Sequence, residues 1–299
     1  MTTGVVLMTY GAPKSDDDLP RYLAAVRGGR PASDDLVAEM RRRYARIGGS
    51  PLIEITRAQA AALESVLGDD HVCAAGMRFS DPTIADAARD LVARGATHLV
   101  GVVLSPQWSS TLMAGYARAL ATAASDLGVT SSMAGAWHRT PAFVGAIAEL
   151  VREAGPLDAA VIFTAHSLPR RVFEAEPEYV AQLRETADLI AAHVPFSSDG
   201  WLWAYQSAGH THEEWLRPDL KELFPDLAAR GYREVLIVSV QFLSDHLEVL
   251  YDLDVAAADE ARAAGLRYRR IQMPNARPGF IRALATVALG EALREPSLI

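Results

Sequence analysis

Eight short β-rich runs, most of them apolar and most separated by stretches of helical periodicity, leave this chain few folds to choose from. Runs at 4–9, 71–75, 98–104 and 130–134 alternate with amphipathic stretches such as 34–46, 56–67 and 83–94. The order then repeats, with runs at 159–165, 200–205, 234–240 and 267–271 among helical stretches at about 142–153, 175–193, 218–230 and 245–264. Strands that are apolar along their whole length, rather than at every second residue, belong to parallel sheets covered by helices on both faces. The pattern therefore predicts an α/β protein of two doubly wound, Rossmann-like halves, each with a parallel four-stranded sheet. The halves meet near 137–142, where WHRTPAF carries a proline, so the domains are read as 1–140 and 141–299. The stretch 278–293 reads as a long amphipathic helix able to fold back onto the first half. A chain of this fold binds ligands outside the carboxyl ends of its strands, which places the expected active-site cleft between the halves.

Composition narrows the function. Of the 299 residues, 50% are apolar and 22% charged, enough to bury a large core, and the formal charge of −8 offers no attraction to phosphate backbones or anionic lipid. Nucleic acid is excluded as an expected partner. Lys14 and Lys221 are the only lysines, so arginine supplies nearly all positive charge. Cys73 is the single cysteine, which rules out an internal disulfide and a cysteine-ligated iron–sulfur centre within one chain. The start MTTGVVLMTYGAP has no leader pattern, and no segment approaches the roughly 18 apolar residues of a membrane span. The expected setting is cytoplasmic, and the expected state a monomer. There is no G-x-G-x-x-G after the first strand and no phosphate-loop motif, so the fold by itself implies no nucleotide.

Two segments carry chemistry. FTAHSLP at 163–169 sets His166 at the end of an apolar run, and SDHLEVLYDLD at 244–254 sets Glu248 just after another. A lone histidine there is most simply a strand-end packing residue; with Glu248 facing the same crevice it becomes half of a metal and proton site. Ser244 is read as a helix N-cap, and Asp245, Glu248, Asp252 and Asp259 recur at intervals of 3, 4 and 7, on one helical face. That face is either solvated or a track for a hydrated divalent cation leading to His166. Imidazole with carboxylate oxygen suits ferrous iron and would accept zinc or cobalt. GHTHEE at 209–214, with His210, His212, Glu213 and Glu214, reads as a surface loop. Tyr10 ends the first strand before a glycine turn, either as a rim tyrosine or as a phenol able to ligate ferric iron. Around a glycine-rich loop, Arg27, Arg30, Arg41, Arg42, Arg43 and Arg46 stand near Ser50, and such guanidinium forks suit a ligand with several carboxylates.

Taken together, MTYGAP, RYARIGGSPL, EITRAQAAALE, GMRFSDPTIADA, VVLSPQWSSTLMAGY, FTAHSLP, WAYQSAG, FLSDHLEVLYDLD and MPNARPGFIRAL resemble the ferrochelatases almost end to end, and within them the bacterial coproporphyrin III type. The tyrosine of MTYGAP carries the resemblance to that type. The resemblance implies a chelatase-like fold and insertion of Fe²⁺ into coproporphyrin III to give coproheme in heme biosynthesis. It assigns His166 and Glu248 to Fe²⁺ binding and pyrrole deprotonation, and Tyr10 to the axial position on the product iron. It assigns Arg27, Arg43, Tyr44, Ser50 and Tyr116 to the propionates or the macrocycle, with Trp108 in a loop that presents an aromatic to the ring. The chain departs from its relatives in having Gly28 after Arg27, a short GGSPL loop, and Ala256 and Ala257 where some relatives carry an acid of a secondary metal site. No cofactor beyond the substrate Fe²⁺ is implied, and the iron–sulfur cluster of some members is not expected. Transient contact with neighbouring heme-pathway enzymes is implied as well.

Metal insertion exchanges two pyrrole protons for one Fe²⁺, so the site must accept protons while delivering a partly desolvated cation. A neutral His166 suits the first task, with Glu248 relaying the proton or balancing its charge. Propionate binding by the arginine loop would offset the strain of holding the ring out of plane. The alternatives are a protoporphyrin IX ferrochelatase, another tetrapyrrole chelatase acting on cobalt or sirohydrochlorin, and a heme- or porphyrin-binding protein without turnover.

Overall fold

In the computed structural model, residues 2–155, 159–196, 200–209 and 213–290 are described. The predicted runs form eight strands: β1 (Thr2–Thr9), β2 (His71–Met77), β3 (Ala96–Val103), β4 (Thr130–Met133), β5 (Ala160–His166), β6 (Leu202–Gln206), β7 (Glu234–Ser239) and β8 (Arg267–Arg270). They make two four-stranded sheets, ordered β2-β1-β3-β4 and β6-β5-β7-β8, with every neighbouring pair parallel. Val5, Val6, Leu7 and Met8 of β1 are all fully buried, as are Ile162, Phe163 and Ala165 of β5, which is why these runs lack polar alternation. In both sheets the chain starts on an inner strand, steps to one side and then returns to the other. The reversal falls beside β1 in one sheet and beside β5 in the other, and ligands of doubly wound sheets bind at the carboxyl ends next to such a reversal. Tyr10 follows β1, and His166 ends β5.

The helices are α1 (Leu19–Val26), α2 (Asp34–Ile47), α3 (Leu52–Leu67), α4 (Ile84–Ala93), α5 (Ser110–Asp126), α6 (Pro141–Glu153), α7 (Arg170–Ala175), α8 (Pro177–Ala191), α9 (Leu220–Ala229), α10 (Ala258–Ala263) and α11 (Pro278–Ala288), with a π-helix over Glu248–Ala257. Their caps follow from local chemistry. Ser33 Oγ accepts from Leu36 N at the start of α2, and Gly48, at φ 75°, ends that helix in the left-handed region. Thr83 and Asp86 form a reciprocal capping box on α4. The pattern predicts a helix only from residue 56, but α3 begins four residues earlier, at Leu52, directly after Pro51. Pro177 likewise divides α7 from α8.

The chain divides into two compact units. The first holds the residues up to Ala142, the short segment Ser244–Leu247 and the residues from Asn275 on; the second holds Phe143–Leu243 and Glu248–Pro274. In the first, Val6, Met8 and Leu99 of the sheet pack with Ile84 and Leu91 of α4 and Met113 and Leu120 of α5. In the second, Ile162, Val235 and Ile237 pack with Phe224, Leu227, Leu253 and Ala261. Each Val, Leu, Ile, Phe or Met side chain among them contributes about 1.5–3 kcal/mol by leaving water. Helix α11 belongs to the first unit and packs on α3. Residues 291–293, at the end of the predicted last helix, lie outside the described residues. Among the described residues no helix is long and apolar enough to cross a membrane.

One element departs from the sequence reading. The single helix expected over 245–264 is instead a π-helix from Glu248 followed by α10. Ser244 is not its N-cap. It is 4% exposed and accepts a hydrogen bond from Gln59 Nε2 at 3.1 Å. Asp245 precedes the helix and is held by Asn275, whose Oδ1 accepts from Asp245 N at 2.9 Å and whose Nδ2 donates to Asp245 Oδ2 at 2.7 Å.

Candidate functional site

His166 is placed by the end of β5. Its backbone is in register with Gln206 of β6, and its N–H donates to Gln241 Oε1 at 2.9 Å. The last ladder bond between β7 and β5 is Val240 N to Thr164 O at 3.0 Å, so the Gln241 side chain supplies the next acceptor where the strands part. Gln241 Nε2 in turn donates to the Tyr179 hydroxyl at 2.9 Å, tying the strand end to α8. Gln206, 3% exposed, accepts from Thr164 Oγ1 at 2.7 Å, and its carbonyl accepts from Ser167 N at 2.7 Å. His166 Nδ1 lies 2.5 Å from the Ser167 carbonyl oxygen. A carbonyl only accepts, so Nδ1 carries the hydrogen and the neutral ring presents its lone pair at Nε2. Trp215 and Phe242 flank the imidazole, with ring centroids at 6.4 and 6.5 Å.

Glu248 opens the π-helix, and its Oε1 stands 3.8 Å from His166 Nε2. That separation is too long for a hydrogen bond and short enough for strong Coulombic attraction once the ring is protonated. Both side chains reach solvent, at 26% exposure for His166 and 41% for Glu248. The pair offers one imidazole nitrogen and one carboxylate to a cation. Among the described residues no group of three or more His, Cys, Asp or Glu side chains gathers as a cage. A cation at this pair would therefore complete its shell with water or with nitrogens of a ligand.

The acidic face expected to run from Asp245 to Asp259 is broken up. Asp245 sits before the helix on Asn275, and Asp259 pairs with Arg262. Glu248 and Asp252 remain on the π-helix, while Asp254 is held bidentately by Arg270 at 2.6 and 2.7 Å. In the loop 209–214, Glu213 pairs with Arg171 and Glu214 with Arg170, as ordinary surface ion pairs. His210 and His212 lie outside the described residues.

The other candidate residues belong to the first unit. Tyr10 is 47% exposed, and its ring meets that of Phe79 edge-on at 4.6 Å between centroids. The turn after it needs glycine: Gly11 has φ 98°, and a Cβ there would fall 2.3 Å from Ser80 Oγ. Tyr116 is buried in α5, and burial, reinforced by Tyr10, pushes its phenol up against the opposing effect of Arg78. Tyr44 packs with Leu19, Tyr22 and Leu23. Arg27 is the exposed C-cap of α1, and its carbonyl accepts from Arg30 Nε at 3.2 Å. Arg43 donates to Glu39 Oε1 at 2.8 Å, and Arg42 shares the same carboxylate. These two guanidiniums, Arg43 first, hold the Glu39 carboxyl below the usual range. Ser50 Oγ accepts from Leu52 N at 3.4 Å at the head of α3, and Trp108 packs against the core of the sheet.

Gln241, Gln206, Tyr179, Trp215 and Phe242 support His166 without having been singled out from the sequence. Gln241 leaves a trace there, as the one amide in the run EVLIVSVQFL.

The ferrochelatase family model matches residues 2–292. Ferrochelatase of Deinococcus radiodurans is 37% identical over 298 residues, covering 95% of this chain and 94% of its own. Coproporphyrin III ferrochelatase of Geobacillus sp. (strain WCH70) is 38% identical over 303 residues, covering 96% of each. Among solved structures, SirB from Bacillus subtilis with Fe³⁺ superposes with a TM-score of 0.60 at 14% identity, covering 98% of this chain and 96% of that one. At that identity the likeness speaks to the chelatase fold alone.

Proposed function

The chain belongs to the ferrochelatase family, and from that membership we propose that it inserts Fe²⁺ into coproporphyrin III, forming coproheme in heme biosynthesis. It is an enzyme of the lyase class. The observation that carries this reading is the placement of His166 Nε2, with its lone pair presented, 3.8 Å from Glu248 Oε1 in a chain that matches its coproporphyrin-using relatives over nearly their whole length.

The residues divide the work as follows. Nε2 of His166 takes a pyrrole proton, because Nδ1 is already committed to the Ser167 carbonyl. The imidazolium so formed is stabilised by the Glu248 carboxylate, which also gives the proton a route to solvent through its exposed oxygen. The same two groups meet the incoming Fe²⁺, a borderline cation suited to nitrogen with carboxylate oxygen. Gln241 holds the His166 backbone, so the imidazole keeps one orientation through the cycle. In the first unit, Tyr10, an exposed tyrosine, would supply a phenol oxygen to the product iron. Arg27, Arg43, Tyr44, Ser50 and Tyr116 hold the propionates and the ring. Coproporphyrin III and Fe²⁺ are the substrates and coproheme the product. We infer no resident cofactor and no iron–sulfur cluster, Cys73 being the single cysteine of the chain and buried.

Anaerobic addition of Fe²⁺ to protein and coproporphyrin III, followed by absorbance, tests the reading. Conversion of coproporphyrin III much faster than of protoporphyrin IX, abolished by His166→Ala, is the expected result. Equal rates on the two porphyrins would favour a protoporphyrin ferrochelatase. Tight binding without conversion would favour a carrier.

A further inference from the structure

Arg78 has a placement that the assignments above leave unused. β2 ends at Met77, yet the next two residues stay beside the end of β1: Arg78 N donates to Thr9 O at 2.8 Å and Phe79 N to Tyr10 O at 3.1 Å. This register brings Arg78 next to Tyr10 and to the Phe79 ring on which Tyr10 rests. Arg78 Cζ lies 5.0 Å from the Phe79 ring centroid. The guanidinium also lies against Gly115 of α5, where a Cβ would fall 2.6 Å from Nε, 2.6 Å from Nη2 and 3.0 Å from Cζ. Glycine at 115 thus makes room for the guanidinium, and the next residue is Tyr116.

Arg78 is half-buried, and among the described residues its side chain makes no ion pair with a carboxylate. A cation withdrawn from water onto a ring face and a glycine has lost hydration without gaining an anion, an arrangement that an anionic ligand relieves. The planar fork of arginine matches a carboxylate with two parallel hydrogen bonds. Arg43, by contrast, already serves Glu39, and Arg27 is exposed and followed by glycine. A macrocycle bearing a propionate on each of its four rings therefore has use for a further cation.

We propose that Arg78 is a substrate-contacting, specificity-determining residue, its guanidinium pairing with a propionate carboxylate of coproporphyrin and favouring a tetracarboxylate over a dicarboxylate macrocycle. The proposal rests on the porphyrin reading of the preceding subsection, with Gly115 as the residue that gives the guanidinium its seat.

Fluorescence titration with metal-free coproporphyrin III and with deuteroporphyrin IX, which has two propionates, tests it without iron. Arg78→Gln is expected to weaken coproporphyrin binding about tenfold and deuteroporphyrin binding less than about twofold, the loss of one charge-assisted pair. Arg78→Lys should recover part of the difference, since it keeps the charge and loses the fork. Gly115→Ala keeps the charge and displaces it, so it should weaken coproporphyrin in the same direction. Equal losses for the two porphyrins, or unchanged affinities in both Arg78→Gln and Gly115→Ala, would overturn the proposal. The two readings fail separately. Wild-type protein that binds coproporphyrin but converts none with Fe²⁺ defeats the enzymatic reading. Wild-type protein that converts it, with Arg78→Gln leaving the ratio of the two affinities unchanged, defeats the role of Arg78 alone.

Discussion

At the scale of single residues, the His166 imidazole is useful because its two nitrogens are already told apart. Nδ1 is spent on the Ser167 carbonyl at 2.5 Å, so only Nε2 can take a proton, and it does so 3.8 Å from a carboxylate. Replacing His166 by alanine should lower kcat by about 10²-fold or more, the usual scale of general-base loss, while changing the KM for coproporphyrin by less than about twofold. Steady-state anaerobic kinetics separate the two, and a matching rise in KM would mean that the ring binds substrate rather than its proton. Gln241 acts at one remove. Gln241→Leu removes the acceptor of the His166 N–H and the donor to Tyr179, so kcat is expected to fall about tenfold at unchanged KM. Gln241→Glu, which keeps the acceptor for that N–H, should lie between the two. If the leucine variant matched the wild type, the amide would be a packing residue only.

At the scale of elements, how far the sequence could be read depended on which forces act locally. The inner strands were legible because a parallel strand buried on both faces must be apolar throughout, and β1 and β5 are; the edge strands β4 (TSSM) and β8 (RYRR) are polar and exposed or half-buried, so the repeating order rather than apolarity places them. The π-helix was not legible. Its buried residues Val249, Leu253 and Ala257 recur every four positions, a spacing that an α-helix also shows, so nothing in the pattern separates the two. Nor could Ser244 and Asp245 be placed, because their partners Gln59 and Asn275 lie 185 and 30 residues away. The pairing of His166 with Glu248 was legible only as a motif resemblance, since periodicity alone leaves a strand-end histidine without a partner. Capping chemistry, in contrast, is local and testable. Asp86 accepts from Thr83 Oγ1 at 2.7 Å and from Thr83 N at 2.8 Å, and the hydroxyl first, then the backbone N–H, hold its carboxyl below the usual range. A depressed folded value contributes stability that is fully present above the unfolded value of about 3.9 and is lost as pH falls through the lower folded one. Asp86→Asn should therefore cost about 1 kcal/mol at pH 7, roughly 2 °C in a thermal melt, and progressively less as acid carries the pH down through the lowered folded value. A deficit that persisted into acid would show that the charge is not what stabilises the cap.

At the scale of the whole molecule, the repeat of four strands invites a cut near residue 140, and the first unit also takes in Ser244–Leu247 and the residues from Asn275 on. The first sheet is complete by Met133, but α11 packs on α3 from the far end of the chain. Phe280, Ile281, Leu284 and Val287 of α11 are each 3% exposed or less, and Phe280 lies 6.4 Å from Trp137, between centroids. At about 1.5–3 kcal/mol each, those four side chains together rival the 5–15 kcal/mol that hold a typical domain folded. Gln59 adds a second tie. It is fully buried, and among the described residues Nε2 donates to Ser244 Oγ and the Asn275 carbonyl, so a fragment lacking both leaves that donor without these acceptors. Residues 1–142 expressed alone should then keep strand and helix signals in the far ultraviolet, lose the near-ultraviolet signal of fixed aromatic packing, and bind a hydrophobic dye. Joining residues 275–290 to that fragment through a flexible linker restores the α11 face and the Asn275 carbonyl, and should return a cooperative melt. A fragment 1–142 that already melted cooperatively with native near-ultraviolet signal would mean that the first unit owes nothing to the chain that returns to it.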